Sequence, residues 1–290
     1  MVENRTGRNR SQGWSHAKKS GHQNEQDFGK QLLEDQAFLD RLELKKFGQT
    51  SNSSPEILVD GAKKVTSIFG DQTTSKIDLG IAWSEHATIG VSVKKSSAGQ
   101  VWLVSLERFL NCLEHYTGER ISKNAELALA LFIGGSNLNP IRERYEGALT
   151  TDSTVRPKLF VQELNQKRLV AASIQDNFSG AWEELMGLLT MNIEIITHLS
   201  FARGLANFKE DWADFVIYNL ESDAEQTFGI SDLAQGSAKS LKESPIVAGP
   251  RNGGSTIILP TGFLQMHHPQ GENLLQFHHS YKKIQALQKG

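Results

Sequence analysis

Two short segments in which apolar residues alternate with polar or small ones constrain the fold of this chain more than any other feature. They cover residues 75–83 and 89–95, with a short gap between them. A period of two is typical of half-buried β-strands, and a short gap suits a hairpin loop. Asp78 falls on the less apolar face of the first segment, and Ser92 and Lys94 share the matching face of the second. The sequence therefore predicts two neighbouring strands that carry an acid and a lysine on one face of a sheet.

The composition limits the class of protein and its environment. The chain has 290 residues, of which 38% are hydrophobic and 22% are charged, as in ordinary globular proteins. The single cysteine, Cys112, excludes an intramolecular disulfide and cysteine-based zinc sites, so we expect a cytoplasmic protein. We expect no membrane segment and no secretory signal, because no apolar run approaches the roughly 18 residues of a membrane helix. The net charge of −2 does not favour a nucleic-acid binder, although a local basic cleft would suffice.

The remaining pattern predicts a succession of helices and strands. In the first half we expect a helix over 24–47, a strand or hairpin over 56–69, a strand over 100–104, and helices over 106–116 and 122–133. In the second half we expect helices over 157–172 and 178–208, a strand over 212–220, long loops over 221–254, short strands over 255–259, 263–267 and 274–278, and a helix from Tyr281. This order predicts an α/β (α+β) protein.

Asp78 and Lys94 form the centre of a candidate site. Asp78 lies in an apolar segment, where a charge is costly unless it has a partner or a metal ion. Ser75 and Lys76 precede it with donors for a phosphate, and Glu107 falls in the first turn of a following helix. Two structural alternatives stay open. Asp78 and Lys94 could form an ion pair only, and Glu107 could be favoured there only by the helix dipole.

This arrangement resembles the PD-(D/E)XK nuclease superfamily, and most closely its type II restriction endonucleases. In that family one strand of a central mixed sheet carries an Asp and the next carries a Glu/Asp-X-Lys tripeptide. The matching residues are Asp78 and the tripeptide 92–94, in which Ser92 replaces the usual acid. In relatives with a similar replacement, a glutamate on the following helix supplies the missing carboxylate, as Glu107 would here. A glutamate from the N-terminal helix also contributes in those relatives, and Glu25 has that position, although helix capping alone explains it too.

The resemblance implies a central mixed β-sheet flanked by helices, with a restriction-endonuclease-like catalytic core over 24–150. It implies Mg²⁺ bound by Asp78, Glu107 and Glu25 together with a phosphate oxygen, and a water oriented or deprotonated by Lys94. The expected reaction is hydrolysis of double-stranded DNA at a specific short sequence, leaving 5′-phosphate ends. We expect a homodimer, because two strands must be cut. We expect no nucleotide cofactor, because the glycine-rich segment near 253–256 lacks the lysine and helix of a phosphate-binding loop.

The expected DNA contacts lie in two places. Beside the site they are Ser75, Lys76, Lys95 and Gln100. Along two later strands, where alternate side chains could contact base edges, they are Gln265, His267, Gln276 and His278. We expect 1–23 to be a basic flexible arm, and 151–290 to be a helical and β-hairpin part for DNA recognition and dimerisation, packed on the core as one globule. Two other functions stay open: a structure-specific repair or junction-resolving nuclease, and a non-catalytic DNA-binding protein with a degenerate nuclease site.

Overall fold

The computed structural model describes residues 27–51, 53–59, 63–83, 88–134, 168–220, 226–250, 254–267 and 273–288. Glu25, the basic segment 1–23 and most of the helix expected over 157–172 lie outside these residues. Within the described part, helices alternate with strands that form two five-stranded sheets and one two-stranded hairpin. This arrangement confirms the α/β class.

The described elements are named in chain order. The strands are β1 (Glu56–Val59), β2 (Lys64–Thr66), β3 (Gln72–Thr74), β4 (Leu79–Ala82), β5 (Ile89–Lys94), β6 (Ala98–Val104), β7 (Phe215–Tyr218), β8 (Gln226–Gly229), β9 (Val247–Ala248), β10 (Thr256–Leu259), β11 (Gly262–His267) and β12 (Leu274–Ser280). The helices are α1 (Gln36–Phe47), α2 (Leu106–Thr117), α3 (Lys123–Ile133), α4 (Ala171–Asn177), α5 (Ser179–Met191), α6 (Ile193–His198), α7 (Ile230–Ser240) and α8 (Tyr281–Leu287). A π-helical turn, Leu199–Arg203, continues α6.

The first sheet is mixed, with the strand order β1-β4-β5-β7-β8. β4 and β5 pair antiparallel, with Leu79 opposite Val91, as the alternation predicts. β5 pairs in parallel with β7, which places Lys94 opposite Tyr218. A parallel pair needs a long crossover connection, and the chain between β5 and β7 supplies it with helices and with β6.

Helices and buried side chains cover both faces of the first sheet. On one face, apolar residues of α1 such as Leu39 pack with Ile81 and Val91 in one core cluster. On the other face, Val216 and Tyr218 belong to a larger core that also contains α2 to α7 and the second sheet. Ser92 and Lys94 lie on this second face, because they pair in register with Val216 and Tyr218. The candidate site therefore lies where the first sheet meets the second.

The second sheet is antiparallel, with the order β6-β12-β11-β10-β9. One face is apolar and buried, and at its centre Trp102 stacks on Phe277 with ring centroids 5.1 Å apart. Phe109 of α2 packs against the same phenylalanine at 5.5 Å. α2 begins here because the Ser105 hydroxyl accepts from the Arg108 N–H, and it ends at Gly118, whose φ of 71° favours glycine.

Several sequence predictions are corrected by the structure. β2 does not form a hairpin with β1; it pairs with β3, whereas β1 pairs with β4. The helix expected over 24–47 breaks at Asp35, whose side chain caps α1 by accepting from the Phe38 N–H. The loops expected over 221–254 contain β8, α7 and β9. Each five-stranded sheet combines strands from before and after residue 150: β7 and β8 join the first sheet, and β6 joins the second.

In the described part, no single helix is long and apolar enough to cross a membrane. One pair of consecutive helices, α5 and the segment Ile193–Arg203, has the length and apolar composition of a membrane span when taken together, but the pair is bent by 67°.

Candidate active site

Asp78 lies directly before the first residue of β4, beside β5. Its backbone N–H donates to the Val91 carbonyl at 2.8 Å. Its carboxylate oxygen Oδ2 accepts from the Val93 N–H at 2.7 Å and from the Ser92 hydroxyl at 3.2 Å. No described residue donates to the other oxygen, Oδ1, and the side chain is 26% exposed. Two donors on β5 thus fix the carboxylate while one oxygen stays available to a ligand.

Lys94 ends β5 and turns back toward Asp78. Its ammonium donates to the Ser92 hydroxyl at 2.7 Å and to the Val93 carbonyl at 3.3 Å. The distance from Lys94 Nζ to Asp78 Oδ2 is 3.9 Å, which is longer than a close charged hydrogen bond of about 2.8 Å. Ser92 is 1% exposed and bridges the two charges by accepting from Lys94 and donating to Asp78. The predicted acid and lysine therefore meet on one face, with a buried hydroxyl between them.

Lys76 provides a second ammonium behind the site. It donates to the carbonyl of Val101 on β6 and so links the turn before Asp78 to the second sheet. Its stem crosses Gly204 so closely that a Cβ there would lie 3.2 Å from Lys76 Cε, and the φ of 54° at Gly204 also favours glycine. Burial, with the nearby Lys94 charge, lowers the pKa of Lys76 to about 7, and Asp78 partly offsets this. Lys76 was expected to contact DNA; here its ammonium turns inward.

Tyr218 and His279 connect the first sheet to the second beside Lys94. Tyr218 lies opposite Lys94 on β7, and its hydroxyl bonds His279 Nδ1 at 2.7 Å. Both side chains are buried. Burial, together with the Lys94 and His278 charges, lowers the pKa of His279 to about 3. A neutral imidazole therefore fills the space behind Lys94 without adding a second positive charge.

The other residues predicted near the site have different surroundings. Ser75 is 8% exposed, and its hydroxyl donates to the Asp211 carbonyl at 3.0 Å, so it supports the turn from inside and does not face solvent. Glu107 is exposed in the first turn of α2, and no described hydrogen bond or ion pair joins it to Asp78 or Lys94. Lys95 is partly exposed just after β5. Glu25 lies outside the described residues.

The predicted base-contacting residues lie on the outer face of the second sheet. Gln276 Nε2 donates to Gln100 Oε1 at 2.6 Å, and Gln265 Nε2 donates to Gln276 Oε1 at 2.6 Å. Gln265 Nε2 also lies 3.0 Å from His278 Nε2. We call Gln100, Gln276, Gln265 and His278 the polar row. His267 is partly exposed at the end of β11 on the same face as Gln265.

Sequence reasoning missed the supporting residues more than the central ones. Tyr218 and His279 carry no local signal of a site: Tyr218 was predicted only as part of the strand over 212–220, and His279 falls just after the strand predicted over 274–278. Among the described residues, no group of three or more histidine, cysteine, aspartate or glutamate side chains converges as metal ligands. Within the described part of the chain, the carboxylate at the centre of the site is thus that of Asp78.

Comparison with known proteins gives little beyond this geometry. No protein-family model matches the chain, and no curated protein matches it. A search of solved structures finds similarity to the restriction endonuclease MspI in complex with its cognate DNA, with 12% sequence identity and a TM-score of 0.42. That similarity covers 86% of this chain and 81% of the other.

Proposed function

We propose that this protein is a Mg²⁺-dependent endonuclease of the restriction type, which hydrolyses phosphodiester bonds at a specific short sequence in double-stranded DNA and leaves 5′-phosphate ends. The observation that carries the proposal is the convergence of Asp78, Ser92 and Lys94 on one face of two adjacent inner strands of a mixed sheet. This is the arrangement of acid and lysine that the resemblance to PD-(D/E)XK nucleases leads us to expect.

A purely structural ion pair explains the geometry less well. A structural pair would close to a direct charged hydrogen bond, whereas Lys94 Nζ lies 3.9 Å from Asp78 Oδ2. Both side chains also stay in contact with solvent, at 19% for Lys94 and 26% for Asp78. A carboxylate and an ammonium that are close, partly exposed and incompletely paired are suited to bind a third group between them.

The donors at the site fit a hard cation. Mg²⁺ prefers oxygen ligands, keeps several waters, and is often bound by one or two carboxylates with a substrate phosphate. The Oδ1 atom of Asp78 accepts no hydrogen bond from a described residue, so this oxygen is available as a metal ligand. The described groups that contact the other oxygen, Oδ2, are the Ser92 hydroxyl and the Val93 N–H. Ser92 is too buried to add a ligand from the surface. When bound, Mg²⁺ would supply electrostatic stabilisation of charge on the phosphate.

The residues of the chain supply positioning and charge. Lys94 is fixed by Ser92 and by the Val93 carbonyl, so that its ammonium points to the space beside Asp78. There it would hydrogen-bond the attacking water or a phosphate oxygen, and would stabilise negative charge that develops in the transition state. Ser92 is a positioning residue, because its buried hydroxyl hydrogen-bonds Lys94 and Asp78. Glu107 and Glu25 are proposed as further carboxylates.

We propose a homodimer as the active form. Cutting both strands of a symmetric DNA site needs two active sites, and two-fold symmetry places them in equivalent positions. Sedimentation of the full chain with and without a cognate duplex tests this step separately from cleavage.

The test of the proposed function is cleavage of plasmid DNA by the full chain in Mg²⁺. Discrete fragments are expected from the wild type, and none from Asp78→Ala or Lys94→Ala. The ion pair between Lys45 and Asp232 provides matched controls. Its charged atoms lie 2.7 Å apart, and both side chains are more exposed than those of Asp78 and Lys94. Lys45→Ala and Asp232→Ala should therefore cut DNA as the wild type does.

Three results would contradict the proposal in different ways. Nicking without fixed ends would favour a structure-specific nuclease. If the wild type binds DNA but cleaves neither methylated nor unmethylated DNA, a non-catalytic DNA-binding protein is favoured. Equal loss of cleavage in the controls would show that the variants act through folding.

A further inference from the structure

The outer face of the second sheet combines polar and apolar side chains but carries no formal charge. Alternating burial along β10 to β12 shows that one face packs on the core and the other does not. None of the residues in β6 and β9 to β12 is Lys, Arg, Asp or Glu. The partly exposed face instead presents amides, imidazoles and apolar side chains, which are Phe263, Leu103, Ile258 and Leu274. Such a face offers directed hydrogen bonds and flat apolar surface rather than attraction to charge.

The polar row is ordered before any partner binds. Three glutamine side chains are joined in one direction, from Gln265 through Gln276 to Gln100, by two bonds of 2.6 Å. His278 is fixed by Gln265 and by Phe263, whose ring stacks on the imidazole with centroids 4.5 Å apart and planes within 8°. Gln276 is 7% exposed and has both amide atoms engaged, so it aligns its neighbours. Pre-ordered side chains lose little rotamer entropy on binding.

The direction of the row leaves different groups at its two ends. Gln265 uses its nitrogen within the row, so its Oε1 remains an acceptor. Gln100 uses its oxygen, so its Nε2 remains a donor. In the major groove, an acceptor can bind the exocyclic amino group of cytosine or adenine, and a donor can bind guanine O6 or N7, adenine N7 or thymine O4. The two ends therefore complement different base edges.

The polar row is joined to the candidate active site by two short connections. Gln100 is next to Val101, whose carbonyl accepts from Lys76, two residues before Asp78. His278 is next to His279, which bonds Tyr218 opposite Lys94. The polar row is therefore one residue along the chain from groups that support the site, and the side chains of His278 and His279 face opposite sides of β12.

We infer that the outer face of the second sheet, centred on the polar row, contacts the base edges of double-stranded DNA and determines the sequence at which the protein binds. The inference rests on the proposed nuclease function. Base edges fit this face better than the phosphate backbone does, because backbone contacts rely on Lys and Arg, which its strands lack.

The test is a binding selection from a randomised duplex library, with the full chain in Ca²⁺. The wild type is expected to enrich a short motif. Gln265→Ala and His278→Ala should each lose roughly 10-fold or more of the preference at one or two adjacent positions, as expected when a base contact is removed. Their salt dependence should match the wild type, because no phosphate contact is lost. Gln285→Ala is the matched control, since Gln285 forms a similar amide pair with Gln226 away from this face and should leave the motif unchanged.

Other outcomes separate this inference from the nuclease proposal. If both variants keep the wild-type motif, the inference is wrong while the proposed nuclease is untouched. A uniform loss of affinity with a changed salt slope would also overturn it, because that result indicates backbone contacts. If the wild type neither binds nor cuts any duplex, both the inference and the proposed function are wrong.

Discussion

The Lys94 ammonium lies closer to the Ser92 hydroxyl, at 2.7 Å, than to the Asp78 carboxylate, at 3.9 Å. A buried neutral hydroxyl thus lies between the acid and the lysine, and it hydrogen-bonds both. Within the described residues, the charges that meet here are thus one carboxylate and one ammonium.

Placing a carboxylate at position 92 should make the stability of the fold depend on Mg²⁺. Ser92→Asp would bury a charge beside Asp78, which should lower the free energy of unfolding by roughly 1–3 kcal/mol without metal. Mg²⁺ should recover much of that loss by binding the folded state. Thermal unfolding with and without Mg²⁺ measures the difference, and Ser92→Asn controls for shape without charge. An equal response of both variants to Mg²⁺ would contradict a cation site at Asp78.

Glu107 can be tested against another acid in an equivalent helical position. Glu107 and Glu126 lie in the first turns of α2 and α3, so replacing either by Gln should lose a similar dipole interaction of about 0.5 kcal/mol. Cleavage, however, should fall at least 10-fold only for Glu107→Gln, because only that carboxylate is proposed to serve the site. Plasmid cleavage and chemical denaturation of both variants provide the comparison. Normal cleavage by Glu107→Gln would leave Glu25 as the proposed source of a second carboxylate.

Local signals in the sequence were sufficient for the centre of the site. Alternation with a period of two predicted the β4–β5 hairpin, and so placed Asp78 and Lys94 together. The apolar periodicity over 106–116 likewise predicted α2, whose ends the structure places at Leu106 and Thr117. These features depend on residues near one another in the chain, where pattern and geometry are directly related.

Features that depend on distant pairing could not be predicted. No local pattern indicates that β7 pairs with β5, which brings Tyr218 beside Lys94. α7 was missed because Gly236 and several serines are poor helix formers, and tertiary burial of residues such as Leu233 outweighs that preference. The inward turn of Lys76 likewise depends on a carbonyl of the second sheet.

Burial of His279 should make the protein sensitive to acid. Its pKa is lowered to about 3 in the folded state, first by burial, against an ordinary 6.5. The unfolded chain therefore binds more protons between these values, and stability should be lost as pH falls below 6.5, by on the order of 2 kcal/mol near pH 4. His279→Gln should lose less over this range, whereas His115→Gln, at an exposed position, should follow the wild type. Denaturation at pH 7 and pH 4 measures this, and parallel losses in all three proteins would contradict it.

Gly90 lets the first sheet pack closely behind the site, so a methyl group there should be strongly destabilising. A Cβ at Gly90 would lie 2.8 Å from Ile77 Cδ1 and 2.8 Å from the Trp212 carbonyl oxygen, and backbone cannot move as a flexible side chain does. Gly90→Ala should therefore cost about 2–3 kcal/mol by overpacking. Gly187→Ala in α5 is the control, because no atom lies within 4 Å of its Cβ position. Since alanine has the higher helix propensity, this variant should raise the free energy of unfolding by up to about 1 kcal/mol. Urea denaturation of the two variants should give shifts of opposite sign, and a neutral Gly90→Ala would show that β4 and β5 can separate from Trp212 without loss.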